Sequence, residues 1–129
     1  MLKFLLIDDD VLEHKMFDCY LAAGQTVQYD LVSTADIDEA IDLLKAQSFD
    51  FIFLDDRFAP YKSALDTLPL LRKVVGAAKI VIISSSTDAR HLKDPDDLNV
   101  LTIIDKFELR SVLSMNMERF EPLNANKAA

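Results

Sequence analysis

The chain has 129 residues, enough for one domain with a full core and too few for two. Half of its residues are hydrophobic, which argues against disorder, yet no apolar stretch approaches the roughly 20 residues that span a bilayer. The net charge of −8, with no cluster of Lys and Arg, argues against direct contact with DNA or RNA. Met1-Leu2-Lys3 leads into an apolar run too short for a secretory signal, and the lone Cys19 allows no internal disulfide, so a cytoplasmic location is expected.

Apolar runs alternate with amphipathic stretches along the chain. Leu2 to Ile7 predicts a strand, followed by a helix over Val11–Ala23 with Leu12, Met16, Phe17, Tyr20 and Leu21 at helical spacing and Gly24 as its stop. Val27 to Val32 reads as a weaker strand. Asp36 to Gln47 reads as a helix with Ile37, Ala40, Ile41 and Leu44 on one face, and Phe49 to Leu54 as the third strand. A loop over Arg57–Asp66 precedes a short helix from Leu68 to Val75, capped by Thr67, with Pro69 in its first turn and Gly76 ending it. Ile80 to Ile83 is the fourth expected strand. Pro95 prevents one continuous helix over Asp88–Asn99, so a short or irregular element is expected there. Val100 to Ile104 is the fifth strand, and Glu108 to Phe120 the last helix, with Leu109, Val112, Leu113 and Met117 on one face. Residues 1–120 then form the domain and 121–129 a flexible tail. Five strands alternating with about five helices make a doubly wound α/β domain, although the strand order is not readable from the pattern.

Short apolar runs unbroken by polar residues mark strands buried on both faces of a parallel sheet, where ligands bind beyond the carboxyl ends. Two such runs, Phe4-Leu5-Leu6-Ile7 and Phe51-Ile52-Phe53-Leu54, end in Asp8-Asp9-Asp10 and Asp55-Asp56. If these strands are neighbours, at least three carboxylates converge and repel one another, and a hard divalent cation such as Mg²⁺ relieves that repulsion. Asp9 and Asp55 would bind the ion, with Asp8 assisting directly or through water. Asp55 is placed to attack an electrophilic phosphorus. Ser84, ending the fourth strand, and Lys106, following the fifth, could then hydrogen-bond or neutralise the phosphoryl oxygens.

Four motifs in order, Leu6-Ile7-Asp8-Asp9-Asp10, Phe53-Leu54-Asp55, Val81-Ile82-Ile83-Ser84-Ser85 and Ile103-Ile104-Asp105-Lys106, each end an expected strand. Together, from about Lys3 to Phe120, they resemble the receiver domain of two-component response regulators, most closely the stand-alone chemotaxis-regulator type. The resemblance implies a flavodoxin-like parallel sheet of order 2-1-3-4-5 with helices on both faces. It implies that Asp55 accepts a phosphoryl group from a sensor histidine kinase or a histidine phosphotransfer protein and later loses it by self-catalysed hydrolysis. Asp9, Asp55 and the backbone carbonyl of Arg57 would ligate Mg²⁺ with support from Asp8, Ser84 and Lys106 would contact the phosphoryl group, and Arg57 and Ser86 would tune its lifetime. A shift of the Ser84 hydroxyl would remodel the face formed by the fourth helix, fifth strand and fifth helix, where a downstream protein would bind.

Several positions depart from that pattern. Ala59 stands where a Pro is common, with Pro60 one place later, and Lys62-Ser63-Ala64-Leu65-Asp66 lacks the usual Gly. Phe107 replaces the Pro that commonly follows the lysine, so the peptide there need not be cis. Ile103 occupies the switch position where an aromatic often swings inward. Asp10 is read as a helix cap. Asp56 is read as a surface residue pointing away from Asp55, and His14 and His91 as surface residues without companions. Cys19 is read as a small apolar helix residue, and Met115 and Met117 as packing or helix surface.

The leading functional expectation is a stand-alone phosphoacceptor that signals by protein contact or phosphorelay. A second is a phosphorylation-independent adaptor of the same fold, motivated by Ile103, Phe107 and Pro95. A third is a phosphatase resembling the haloacid dehalogenases, whose D-x-D spacing occurs at Asp8 to Asp10, although Leu12 stands where that motif wants Thr or Val.

Overall fold

The computed structural model describes residues 1–25, 28–86 and 89–115. Its centre is a parallel sheet of five strands: β1 (Leu2–Ile7), β2 (Tyr29–Thr34), β3 (Phe51–Asp55), β4 (Lys79–Ser84) and β5 (Thr102–Asp105), in the order β2-β1-β3-β4-β5. That is the order implied by the resemblance. Five helices cover it: α1 (Val11–Gly24), α2 (Ile37–Ala46), α3 (Ala64–Arg72), α4 (Pro95–Leu98) and α5 (Leu109–Leu113), with 3₁₀ turns at Arg90–Leu92 and Lys106–Glu108. Among the described residues no helix is long and apolar enough to cross a membrane.

The alternation of strand side chains splits the core into two layers. Leu5, Ile7, Ile52, Leu54, Ile80 and Ile82 face one side and pack with Ile37, Ala40 and Leu44 of α2, with Ala64, Leu68 and Leu71 of α3, and with Leu92. Phe4, Leu6, Phe51, Phe53, Val81 and Ile83 face the other and pack with Phe17 and Leu21 of α1 and Leu109 and Leu113 of α5. The second layer is aromatic at its centre, with the Phe17 ring edge-on to Phe53 at 4.8 Å. Burial on both faces is what makes β1 and β3 continuous apolar runs.

Helix starts follow their caps. Asp10 accepts the Leu12 N–H at 3.0 Å and Asp36 the Asp38 N–H at 2.9 Å, as expected for N-cap aspartates. The third helix departs from expectation: it begins at Ala64 and ends at Arg72, four residues earlier than the Thr67 cap implied. Ser63 is the cap, its Oγ accepting from the Leu65 N–H at 3.2 Å, and the Asp66 carboxylate accepts the Lys62 N–H at 3.1 Å. Pro69 therefore lies inside the helix and removes its bond to the Leu65 carbonyl. Thr67 is fully buried instead of capping, and Gly76 sits beyond the helix end with φ of +62°, a turn conformation that suits glycine.

Smaller shifts occur elsewhere. The second strand runs Tyr29–Thr34, and Val27, its expected start, lies outside the described residues. Phe49 is buried but precedes β3, and Val100 is buried but precedes β5. In α1 only Phe17 and Leu21 of the expected apolar face are buried, while Leu12 and Met16 are exposed. The fourth helix is short: Asp94 caps a single turn with Pro95 at its first position, and Asn99 closes it in the left-handed region. Residues Thr87 and Asp88 of that segment lie outside the described residues.

The last helix was expected to run to Phe120, but α5 stops at Leu113. The Gln25 side-chain amide donates to the Leu113 carbonyl at 3.1 Å and the Met115 carbonyl at 2.8 Å, capping the helix from outside. Met117, the remainder of that expected helix and the expected tail at 121–129 lie outside the described residues. Gly24 permits this contact, because a Cβ there would stand 2.5 Å from the Leu113 carbonyl oxygen and the Ser114 backbone. In an unpacked helix Gly24→Ala would stabilise by about 1 kcal/mol. Here overpacking against backbone dominates, and urea unfolding of Gly24→Ala is expected to show a loss of about 1–3 kcal/mol.

Candidate functional site

The register of the sheet brings the strand ends together. Ile7 pairs with Leu54, so Asp8 and Asp55 follow as neighbours at the ends of β1 and β3. Asp55 pairs with Ile83, placing Ser84 one residue further along β4, and Ser84 pairs with Asp105, directly before Lys106. Asp8, Asp9 and Asp55 each present a carboxylate oxygen, and these oxygens all lie within 4.8 Å of one another. Asp8 and Asp55 are buried and Asp9 is exposed, so the cluster is open on one side. The Lys106 Nζ lies 3.4 Å from Asp55 Oδ1 and 3.8 Å from Asp8 Oδ2.

Backbone donors hold the carboxylates in place. Asp8 Oδ1 accepts the Asp10 N–H at 2.9 Å, and Asp9 Oδ2 accepts the Ala59 N–H at 3.2 Å, which ties the β3–α3 loop to the site. Ser84 is buried, and its Oγ accepts the Ser86 N–H at 3.0 Å. Ser86 itself is half-buried, Arg57 is exposed in the loop after β3, and Ile103 is half-buried against the layer under α3 and α4. The Lys106–Phe107 peptide is trans; among the described residues the cis bond lies at Ala59–Pro60. Phe107 is exposed.

The electrostatics follow from this crowding. Burial, reinforced by the neighbouring Asp8 charge, pushes the Asp55 carboxyl up to about 7, even though Lys106 pulls the other way. Burial likewise raises Asp8, with the Asp10 N–H and Lys106 opposing. For Lys106, burial disfavours the ammonium, but Asp55 and Asp8 outweigh it and hold its pKa above the ordinary lysine value. A single lysine thus leaves the three acids incompletely neutralised. Three hard oxygen donors at this spacing, open to solvent on the Asp9 side, fit a divalent cation such as Mg²⁺.

Three residues read as surface from the sequence are not. Asp56 does diverge from Asp55, because alternation sends it to the opposite face, but it is 2% exposed there. Its Oδ1 accepts the Ala64 N–H at 2.9 Å and meets His91 Nε2 at 2.8 Å. His91 is half-buried by that contact, so it does have a companion. His14 Nε2 lies 2.7 Å from the Asp8 carbonyl oxygen, behind the acidic cluster. The signal for Asp56 was parity: one place after Asp55, it continues the face of Ile52 and Leu54. Nothing in the sequence pointed to His91 as its partner, since the two are 35 residues apart. Cys19 is exposed on α1.

The raised Asp55 pKa gives a pH dependence whose sign is fixed. The folded state holds the Asp55 proton more tightly than the unfolded chain, so this contribution to stability is full at acid pH and is lost as pH rises through about 7. In metal-free protein, Asp55→Asn should escape that loss. The loss begins near the ordinary carboxylate pKa of about 4 and is complete above about 7, so the variant's melting temperature should match wild type within a degree or two near pH 4 and exceed it by several degrees at pH 8. Parallel curves for the two proteins across this range would contradict the assigned burial of charge.

No protein-family model and no curated protein matches the chain. Solved structures do. A response regulator protein from Burkholderia pseudomallei, with a phosphorylated aspartic acid, a calcium ion and citrate, aligns over 99% of this chain and 71% of its own, at 19% identity and a TM-score of 0.73. The response regulatory domain of protein mrkE from Klebsiella pneumoniae aligns over 88% of this chain and 89% of its own, at 19% identity and a TM-score of 0.69. Response regulator protein TrrA from Thermotoga maritima, in complex with Mg(2+)-BeF, aligns over 82% and 87%, at 21% identity and a TM-score of 0.65. The chain has the fold of a response-regulator receiver domain.

Proposed function

We propose that the protein is a receiver that takes a phosphoryl group on Asp55 from a phosphohistidine, in a Mg²⁺-dependent reaction, and signals through protein contacts or onward transfer. The observation that carries this reading is the meeting of Asp8, Asp9, Asp55 and Lys106 beyond the ends of β1, β3 and β5. Neighbours of the same fold with a phosphorylated aspartic acid or bound Mg(2+)-BeF support it. A phosphohistidine donor implies a histidine kinase or phosphotransfer protein, and hence the cytoplasm.

An oxygen of the ionised Asp55 carboxylate attacks the phosphorus. The new O–P bond forms as the N–P bond of the phosphohistidine breaks, and the bonding pair leaves on the imidazole nitrogen, which takes a proton from water. Asp9, Asp55 and the Arg57 carbonyl, with Asp8 in support, would hold Mg²⁺, which would supply positive charge against the carboxylates and the phosphoryl oxygens. Lys106 contributes a second cation at Asp55, and the Ser84 hydroxyl a hydrogen bond from β4. Because burial favours the protonated form of Asp55, the cations also keep the nucleophile ionised near neutral pH. Water attack on the acyl phosphate returns the carboxylate and inorganic phosphate. In this reading Arg57 and Ser86 stand at the mouth of the site and tune that step. Ser84 and Ile103 form the switch toward α4 and α5.

Intact-mass spectrometry after incubation with acetyl phosphate tests the assignment. Wild type should gain one phosphoryl group only with Mg²⁺, Asp55→Asn should gain none, and Lys106→Ala should label about a hundredfold more slowly. Equal labelling of Asp55→Asn would refute Asp55 as acceptor. No labelling by acetyl phosphate or by a histidine-phosphorylated donor would favour a phosphorylation-independent adaptor.

A further inference from the structure

One carboxylate oxygen outside the acceptor site joins three elements. Asp56 Oδ1 accepts the Ala64 N–H at the start of α3 and the ring of His91 in the 3₁₀ turn Arg90–Leu92. The Asp56 N–H donates to the Ile83 carbonyl at 2.9 Å, so residue 56 is also clamped to β4. The Asp56–Ala64 bond closes the loop of residues 57–63 at its base. His91 is held in place by its neighbour Leu92, which is buried in the core layer under α3. A carboxylate buried this deeply requires its partners: with His91 removed, Asp56 keeps a single N–H at that oxygen.

We propose that His91, acting through Asp56, is a positioning residue for the metal site. It pins the loop that begins with Arg57, and so fixes the carbonyl assigned above as a Mg²⁺ ligand. The metal half of this inference rests on the receiver reading; the loop half does not. Groups that orient metal ligands typically change metal affinity by about 10- to 100-fold when removed. His91 acts two steps from the ion, so a loss of about tenfold is expected. Linkage requires the converse as well: Mg²⁺ should slow amide exchange in the turn Arg90–Leu92.

The test uses the full chain as wild type, His91→Phe, which keeps ring volume without a donor, and His91→Gln, which keeps an N–H. Amide hydrogen exchange without metal reads the tether, and calorimetric Mg²⁺ titration reads the site. In His91→Phe the hydrogen-bonded amides of Ala59, Tyr61, Lys62 and Ala64 should exchange about tenfold faster, with Mg²⁺ bound about tenfold more weakly. His91→Gln should recover most of both. Unchanged exchange in His91→Phe would overturn the tether. Faster exchange with unchanged Mg²⁺ affinity would overturn the positioning role. If wild type binds no Mg²⁺, the receiver reading falls and the metal half with it, while the exchange data still decide the tether. Should His91→Phe not fold, His91→Ala is read in the same way.

Discussion

The structure is organised around a cost: three carboxylates gathered at the ends of two adjacent strands, two of them buried. A parallel sheet with both faces covered forces this burial, because the strand ends that carry Asp8 and Asp55 are flanked by packed layers. Lys106 offsets part of the repulsion from the end of β5, and the raised Asp55 pKa is the part left over. A site with that residual charge favours whatever brings positive charge to it. The chemistry assigned to Asp55 follows from the same imbalance, since a cation that neutralises the acids also stabilises incoming phosphoryl oxygens.

Alternation along β3 gives consecutive aspartates opposite duties. Asp55 shares its face with Phe51 and Phe53 and turns toward Asp8 and Lys106, whereas Asp56 shares its face with Ile52 and Leu54 and turns into the junction of α3 and the Arg90–Leu92 turn. The loop between β3 and α3 is therefore held by Asp56 at its base, by Asp9 at the Ala59 N–H and by Asp66 at the Lys62 N–H. Its proline, Pro60, stands one place later than the receiver pattern has it and the usual Gly is missing, and these side-chain bonds tie the loop down.

The sheet and the acidic cluster were legible because short apolar runs ending in aspartate carry both signals at once: continuous burial and a charged strand end. Strand order was not legible, since the same runs fit other orders, and it came only through the resemblance. Helix α3 was misplaced because Thr67-Leu68-Pro69 looks like a cap with a first-turn proline, while the actual cap at Ser63 depends on Asp56 and Asp66 taking neighbouring amides. The early end of α5 depends on Gln25, nearly 90 residues away in sequence. The Asp56–His91 pair was hidden for the same reason. Local propensity does not encode partners that only the fold brings together.

The most direct test of the central claim is calorimetric titration of Mg²⁺ into wild-type protein at pH 6 and pH 8, each in two buffers of different ionisation enthalpy. If buried, mutually repelling carboxylates form the site, Asp55 holds its proton at pH 6, and Mg²⁺ binding there should release about one proton, falling toward none at pH 8. Binding with the same proton count at both pH values, or no binding at either, would contradict it.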